Sequence, residues 1–145
     1  MMWIRKTLAI LGTALALAGP ATADDTYTRE VAARLALATV GLTVDGWTLD
    51  QTASGMLYQG EYQWVSIMLA KGRTYTIVGA CDYDCYDLAL SLYSDSGALI
   101  RTHSGGDAFP AVTLKAPYSG YYMVKAPMRG CQVGPCEYGL AVFID

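Results

Sequence analysis

The sequence predicts a mainly β protein: an antiparallel β-sandwich of jelly-roll-like type with one N-terminal α-helix. Three observations carry this prediction. Apolar residues alternate with polar ones in several short runs, turn residues separate these runs at intervals of roughly ten residues, and no long helical pattern lies between them. Parallel βαβ units need such helices, so we expect the strands to pair antiparallel.

The first residues have the pattern of a cleavable signal peptide. Arg5 and Lys6 precede an apolar run over residues 7–19, and a triplet with small first and last residues ends at Ala23. The run is shorter than the roughly 20 residues that a membrane-spanning helix needs, which favours cleavage over a membrane anchor. We therefore predict a signal peptide over residues 1–23, a periplasmic or secreted protein, and no stable membrane insertion after cleavage.

Length and charge indicate that the mature chain is one acidic domain. Removal of 23 residues from the 145 leaves 122, the size of a single compact domain. The formal net charge changes from −3 to −5 because Arg5 and Lys6 leave with the signal peptide. An acidic chain without a Lys/Arg cluster argues against nucleic acid as a partner, and the charge is interpreted as a contribution to solubility.

The mature chain is expected to begin with a helical segment over residues 24–46, followed by the sandwich over residues 47–145. Apolar residues recur at helical spacing from about Thr28 to Val40, and Gly41 is the expected stop. Three residues are candidate N-caps: Asp25, Thr26 and Thr28. We expect the apolar stripe of the helix to cover the core of its own domain rather than a partner.

Strands follow after Gly46, where the apolar period changes to two. Predicted strands cover about residues 64–69, 74–78, 88–93, 98–102, 112–114, 121–126 and 138–144. Gly72 and Gly97 fall at turns where a positive φ is expected. Three tyrosines, each in an alternating run, are expected at the edge of the core with their hydroxyls in water: Tyr75, Tyr122 and Tyr138.

The four cysteines form an even set in a chain with an export signal, which predicts disulfides. The alternative is a zinc site of four thiolates, but its usual spacing is C-x2-C, whereas these pairs are C-x3-C and C-x4-C. An oxidising compartment also disfavours thiolates. Three connectivities are open, and the preferred one has two local bridges, Cys81–Cys85 and Cys131–Cys136.

Acidic residues around the first cysteine pair are candidate calcium ligands: Asp82, Asp84 and Asp87. Calcium takes six to eight oxygen ligands, but this segment is not an EF-hand loop. Turn capping and solubility are the preferred interpretation, with Asp87 expected to accept hydrogen bonds from free backbone amides. No other cofactor or metal is expected.

Aromatic residues form a second candidate site. Amphipathic rings favour binding interfaces. The candidate binding residues are Tyr58, Tyr62, Trp64, Tyr83, Tyr86 and Tyr121. The ordinary alternative is that period-two alternation places several of these rings singly on the outer side of a sheet.

No catalytic residue is assigned. His103, the one histidine, is followed directly by Ser104, and Asp107 lies three residues further on. Neighbouring side chains of an extended segment point to opposite sides, so His103 and Ser104 are badly placed for a nucleophile and its base. The sequence also lacks a G-x-S-x-G elbow. We expect a protein that is not an enzyme, with a small hydrolase kept as an alternative.

Five short motifs follow one another in the sandwich region. They are residues 55–57 (GML), 69–77 (LAKGRTYTI), 87–93 (DLALSLY) with Gly97, 120–124 (GYYMV) and 138–142 (YGLAV). In this order and spacing, the stretch from about Gly55 to Phe143 resembles the bacterial pre-peptidase C-terminal domain family, in a disulfide-containing subgroup of small exported proteins. The resemblance implies a β-sandwich module without catalytic activity that accompanies exported enzymes, and some relatives bind calcium. Here the module has no protease domain beside it, which weakens any role as an accessory to a protease.

Together these observations predict an exported binding module for a protein, peptide or glycan surface. The alternative is a structural or stabilising envelope protein that self-associates through its N-terminal helix.

Overall fold

The protein is a two-sheet β-sandwich with one helix against the outer side of one sheet. The computed structural model describes residues 24–145, with side chains from Thr26 onward, so the predicted signal peptide lies outside the described residues. In chain order the elements are α1 (Asp24–Val44), β1 (Thr48–Leu57), β2 (Tyr62–Leu69), β3 (Thr74–Cys81), β4 (Cys85–Leu88), β5 (Leu90–Ser94), β6 (Leu99–His103), β7 (Ala111–Lys115), β8 (Gly120–Cys131) and β9 (Cys136–Ile144).

The strands interleave between two antiparallel sheets. The first sheet has the order β1-β9-β3-β7; the second has the order β2-β8-β5-β6, with β4 paired to the far end of β8. The first three strands alternate between the sheets, and so do β7, β8 and β9. This alternation is the arrangement of a jelly roll. The predicted antiparallel, jelly-roll-like sandwich with one helix is confirmed.

The core lies between the sheets, where alternate side chains of the strands meet. Representative buried residues are Ile67, Leu69, Ile77, Leu92, Leu114, Val124, Leu140 and Val142. The three tyrosines expected at the core edge are buried too, at 2% exposure or less. The expectation that their hydroxyls lie in water was wrong for two of the three. The hydroxyl of Tyr75 accepts a hydrogen bond from the amide of Ala70, and the hydroxyl of Tyr122 donates one to the carbonyl of Tyr118.

Helix α1 packs on β9 and β3, as expected of a helix that covers its own domain. The contact is close because β9 offers a glycine: a Cβ built on Gly139 would lie 2.6 Å from Leu35 Cδ1 and 2.9 Å from Val31 Cγ1. A side chain at this position would push the helix outward. Between Val31 and Leu35, Arg34 Nη1 donates a hydrogen bond of 2.8 Å to the carbonyl oxygen of Cys81.

The end of α1 is fixed by Gly46 rather than by Gly41, so the expected stop was wrong. Gly46 has a φ of +94°, its amide donates to the carbonyl of Thr43, and the amide of Trp47 donates to the carbonyl of Leu42. These two bonds form a Schellman motif, which needs a residue in the left-handed region. The expected start was wrong as well, because three candidate N-caps lie inside α1: Asp25, Thr26 and Thr28.

Tyr118 and Tyr122 fasten the turn between β7 and β8. Their rings stack with centroids 4.3 Å apart and an interplanar angle of 10°. The hydroxyl of Tyr122 donates to the carbonyl of Tyr118 at 2.8 Å and accepts from its amide at 3.2 Å. The hydroxyl of Tyr118 in turn accepts the amide of Asp95 at 3.0 Å. The pair therefore links this turn to the turn between β5 and β6.

Tyr122→Phe is expected to lower the free energy of unfolding by about 1–3 kcal/mol, because the turn loses two hydrogen bonds at a buried oxygen. Tyr121→Phe is the matched control: it removes the hydroxyl of the exposed neighbouring ring and should change the free energy by no more than about 0.5 kcal/mol. Urea unfolding measures both. Equal losses in the two variants would contradict the assigned role of the Tyr122 hydroxyl.

Alkaline pH is expected to weaken the fold. Burial raises the pKa of Tyr122 and of Tyr138 above the usual 10.0. Above about pH 10 the unfolded chain loses these protons first, so the native state binds more protons and its stability falls as the pH rises; below that pH the contribution is complete. Unfolding measured between pH 8 and pH 11.5 should show this decline, and a smaller one in Tyr122→Phe. A flat profile in the wild type would contradict the assignment.

Candidate binding face

The outward side of the second sheet carries a group of aromatic and methionine side chains. Residues opposite each other in an antiparallel pair share one side of the sheet. Trp64 lies opposite Lys125, Met68 opposite Tyr121, and Met123 opposite both Ser66 and Tyr93. We call this surface the aromatic–methionine face; its residues are Tyr62, Trp64, Met68, Tyr93, Tyr121, Met123 and Lys125.

Three rings on this face contact one another edge to face. The centroids of Tyr62 and Trp64 are 6.3 Å apart at 84°, and those of Trp64 and Tyr93 are 5.2 Å apart at 67°. The Lys125 Nζ atom lies 4.2 Å from the Tyr62 centroid and 5.7 Å from that of Trp64, within the range of cation–π attraction. These contacts hold the rings in place while Trp64 remains 41% exposed.

An open depression of about 610 Å³ adjoins Trp64 and Tyr93. Met123 lines it, and Ser94 and Asp95 contribute its polar groups. The hydroxyl of Ser94 is already engaged in its own turn, where it bonds to the hydroxyl of Ser96 at 2.9 Å and accepts the amide of Ala98 at 3.0 Å. The depression is therefore mainly apolar, with one exposed acidic residue at its rim.

The structure divides the six predicted binding aromatics into two groups. Tyr62, Trp64 and Tyr121 lie on the aromatic–methionine face. Sequence reasoning missed the other four members of that face: Met68, Tyr93, Met123 and Lys125. Their alternation with the buried residues of β2, β5 and β8 was visible in the sequence, so the outward direction of each side chain could have been inferred. The pairing that places them together was not visible.

The other three predicted aromatics are exposed but serve local packing. The ring of Tyr86 covers Gly130, and a Cβ on Gly134 would lie 2.7 Å from the ring of Tyr58. The guanidinium of Arg34 lies 4.5 Å from the centroid of Tyr83. These rings cover the loops near the cysteines rather than extend the aromatic–methionine face.

Both disulfides form in the preferred local pairing. Cys81 is bonded to Cys85 and Cys131 to Cys136, and all cysteines among the described residues are paired. Cys85 lies opposite Cys131 in the β4–β8 ladder, so the two bridged loops are neighbours at one end of the sandwich. A four-thiolate zinc site is excluded because these thiols are oxidised.

The three aspartates near the first bridge do not share one site. Asp82 is 1% exposed; its Oδ2 accepts the amide of Glu137 at 2.7 Å and its Oδ1 that of Asp84 at 3.2 Å. Asp87 lies 3.6 Å from the guanidinium of Arg129 and its Oδ1 has no hydrogen-bond partner, so the expectation that Asp87 accepts backbone amides was wrong. Between residues 24 and 145, no three His, Cys, Asp or Glu side chains are grouped as metal ligands.

His103 is the last residue of β6, where the exposed loop to β7 begins. Its Nε2 lies 3.2 Å from Asp107 Oδ2, and Asp107 Oδ1 accepts the amide of Phe109 at 2.8 Å. The amide of Phe109 and then the imidazole of His103 lower the pKa of Asp107. The His103–Asp107 contact thus fastens the loop, beside an exposed Ser104.

No protein-family model and no curated protein matches this chain. Among solved structures, the fold is similar to the crystal structure of PliG from Aeromonas hydrophila, a periplasmic lysozyme inhibitor of g-type lysozyme. The sequence identity is 15%, the match covers 68% of this chain and 86% of that one, and the TM-score is 0.48. A likeness of this degree carries no functional argument. The α1 helix of the described part is not long and apolar enough to cross a bilayer.

Asp82→Ala is expected to destabilise the fold by about 1–3 kcal/mol, because it leaves the amide of Glu137 without an acceptor in a buried place. Asp84→Ala, two residues away and less buried, is the control and should cost less than about 1 kcal/mol. Thermal and urea unfolding measure both variants. If Asp82→Ala were neutral, the carboxylate would not be the acceptor that holds β9 to this loop.

Proposed function

We propose that the protein is an exported binding module without catalytic activity, and that it holds the surface of another protein against its aromatic–methionine face. The observation that carries the proposal is the contact chain of Tyr62, Trp64 and Tyr93 on an open sheet surface, flanked by two methionines. Isolated exposed apolar residues are ordinary, but a contiguous group marks an interaction site.

The composition of the face favours a protein ligand. Tyrosine, tryptophan and methionine are enriched in the centres of protein interfaces, where most charged residues are depleted. Methionine is flexible and polarisable, so Met68 and Met123 can adapt to an irregular partner surface. Lys125 adds the one charge within the ring group, and its ammonium lies over the rings.

The geometry argues against a glycan as the ligand. A flat sugar ring stacks best on a ring platform, but the aromatic pairs here are inclined at 84° and 67°. A polar ligand also needs several convergent hydrogen-bonding groups. The depression offers the carboxylate of Asp95, whereas the Ser94 hydroxyl is used within its own turn.

Preorganisation supports affinity at this face. The rings stand on β2 and β5, the two neighbours of β8 in the sheet, and contact one another before any partner arrives, so binding orders few new rotamers. Trp64 contacts both Tyr62 and Tyr93 and therefore lies at the centre of the group. Central Trp and Tyr residues are the typical hot spots of an interface.

A second candidate function is self-association through α1. Leu37, Val40 and Val44 recur at helical spacing and are 76%, 61% and 82% exposed. This stripe lies on the helix, away from the aromatic–methionine face. Light scattering after size exclusion distinguishes the two candidate functions. A stable oligomer of the wild type that dissociates into monomers in the variant Leu37→Glu supports self-association.

Photo-crosslinking in the exporting cells is expected to identify the partner. A photoreactive amino acid at Met68 should link the protein to a different polypeptide, while the same group at exposed Leu37 should not. With that polypeptide purified, Trp64→Ala and Tyr93→Ala should each raise the dissociation constant about 30-fold, since truncation of a hot spot costs about 2 kcal/mol. Leu37→Ala is the control, and its affinity should equal that of the wild type.

Three outcomes contradict the proposal. Crosslinks from position 68 to a second copy of this chain would assign the face to self-association. Retention on a glycan array that Trp64→Ala abolishes would replace the protein ligand with a sugar. A purified partner that binds Trp64→Ala as tightly as the wild type would move the interface elsewhere.

A further inference from the structure

A ridge of apolar side chains runs along the outward side of α1. Its members follow one another at helical spacing, on the side of the helix opposite the residues that contact the first sheet. They are Ala33, Leu37, Val40 and Val44, all exposed, the last three at 76%, 61% and 82%. We call these four residues the helix ridge. Exposure of a contiguous apolar group is costly in water, and in proteins it marks an interaction site.

The helix ridge has no charged neighbours that would keep it in water. Between residues 31 and 44 the one charged side chain is Arg34, which is bound to Glu30 and to the carbonyl of Cys81 on the sheet side of α1. An ordinary surface helix carries charged residues on its outward side. This helix is therefore apolar both toward its own sheet and away from it.

A groove runs beside the helix ridge, between α1 and the edge strand β1. Two cavities of about 270 and 360 Å³ form it, and Ala32, Leu35 and Thr52 line both of them, so the groove is continuous along α1. Leu49 adds apolar surface at one end, and Glu137 lies in the wall at the other. The remaining wall residues are apolar, serine or threonine. We call this feature the α1–β1 groove.

The helix ridge and the α1–β1 groove complement each other, because both are mainly apolar, both run along α1 and they lie side by side. In a two-fold dimer the same patch of both copies meets, so a patch must complement itself. A two-fold axis parallel to α1 achieves this, since it carries the ridge of each copy into the groove of the other. We infer that the protein forms this dimer, with the two α1 helices side by side and parallel. The inference rests on the second candidate function, self-association through α1, and specifies its geometry.

The area that a stable dimer needs favours this arrangement over contact between the two ridges alone. The ridge extends from Ala33 to Val44, so it is about 18 Å long at about 1.5 Å per residue, and a helix is about 10 Å wide. A strip of this size is too small for the roughly 800 Å² that each partner contributes to a standard interface. With the ridge in the groove, each copy also buries the flank of α1 and the outward side of β1.

The first sheet has room for a second helix. Its four strands, at about 4.8 Å from one to the next, make it about 19 Å wide, whereas one helix covers about 10 Å. The α1 helix packs on β9 and β3, which leaves the outward side of β1 for the helix of the other copy. The second sheets form the outer layers of this dimer. Both aromatic–methionine faces therefore remain exposed.

Charge permits the parallel arrangement, and apolar burial drives it. The two Arg29 side chains lie at the same end of the dimer, where exposure to water makes their repulsion small. Each also approaches the end of the other groove, where Glu137 gives the wall the opposite charge without direct contact. No other charged side chain lies between the two helices within residues 31–44, because Arg34 points to the sheet side.

Sedimentation equilibrium of the mature protein tests the dimer. The wild type should have twice the mass of one chain, with a dissociation constant on the order of 1 μM. Leu37→Glu places a charge on the ridge and Thr52→Arg places one in the groove. Each should raise the dissociation constant at least about 100-fold, because the interface would bury an unpaired charge. Ala111→Glu, at an exposed position of β7 on the opposite edge of the first sheet, is the control and should dimerise like the wild type.

Disulfide trapping in the exporting cells tests the direction of the helices. Ala32 lines the groove, and exposed Thr43 lies one turn after Thr39, which lines it too. A parallel pair brings each of these residues beside its own copy, so Ala32→Cys and Thr43→Cys, made separately, should each give a disulfide-linked dimer. An antiparallel pair can link at most one of the two positions. Ala111→Cys is the control and should stay unlinked.

Five results overturn the inference. A wild type that is monomeric at every concentration, or a dimer that persists in Leu37→Glu, would reject self-association through α1 as well. A dimer that dissociates in Leu37→Glu but persists in Thr52→Arg, or that gives no link at position 32 or at position 43, would reject only the ridge-in-groove pairing. Links from both positions to a different polypeptide would assign the groove to another protein. None of these results depends on the partner of the aromatic–methionine face.

Discussion

The packing of α1 on β9 determines which surfaces of the sandwich are covered and which are open. Strand β9 is buried on both sides, with Tyr138 in the core and Gly139 under the helix. Among residues 24–145 the helix covers the first sheet, and no such layer covers the outward side of the second sheet. Its apolar side chains therefore remain available to solvent or to a partner. The same packing encloses Glu137, whose carboxylate would lie in water without the helix.

The end of the molecule with both disulfides is organised by backbone hydrogen bonds as much as by the bridges. Each bridge closes a short loop, for which the chain-entropy model gives only about 2 kcal/mol of stabilisation. Long-range contacts in this region come from Asp82, which accepts the amide of Glu137, and from Arg34, which reaches the carbonyl of Cys81. The bridges stiffen the loops, and the buried carboxylate fixes them to β9.

Alternation of apolar residues was sufficient to predict the sandwich, because each inward side chain leaves a period-two signal. The alternation did not predict β1. This edge strand has polar residues on both sides, and Leu57 is its one buried residue, so the strand leaves little period-two signal. The alternation also missed β4, of which only Leu88 fell within a predicted strand, and it placed Ala89 inside that strand, although Ala89 lies between β4 and β5. Gly41 and Gly46 look alike as helix stops, and φ alone distinguishes them.

The candidate site was harder to predict than the fold for a related reason. Alternation gives the direction of a side chain, but strand order decides which outward side chains are neighbours. Trp64 and Tyr93 meet because β8 lies between their strands, a pairing that local sequence does not encode. The family resemblance remains a prediction.

Contact with the aromatic–methionine face removes apolar area from water, a contribution that salt does not screen. Screening by salt weakens interactions between exposed charges, and Lys125 is the one charge within the ring group. Affinity at this face should therefore depend little on ionic strength.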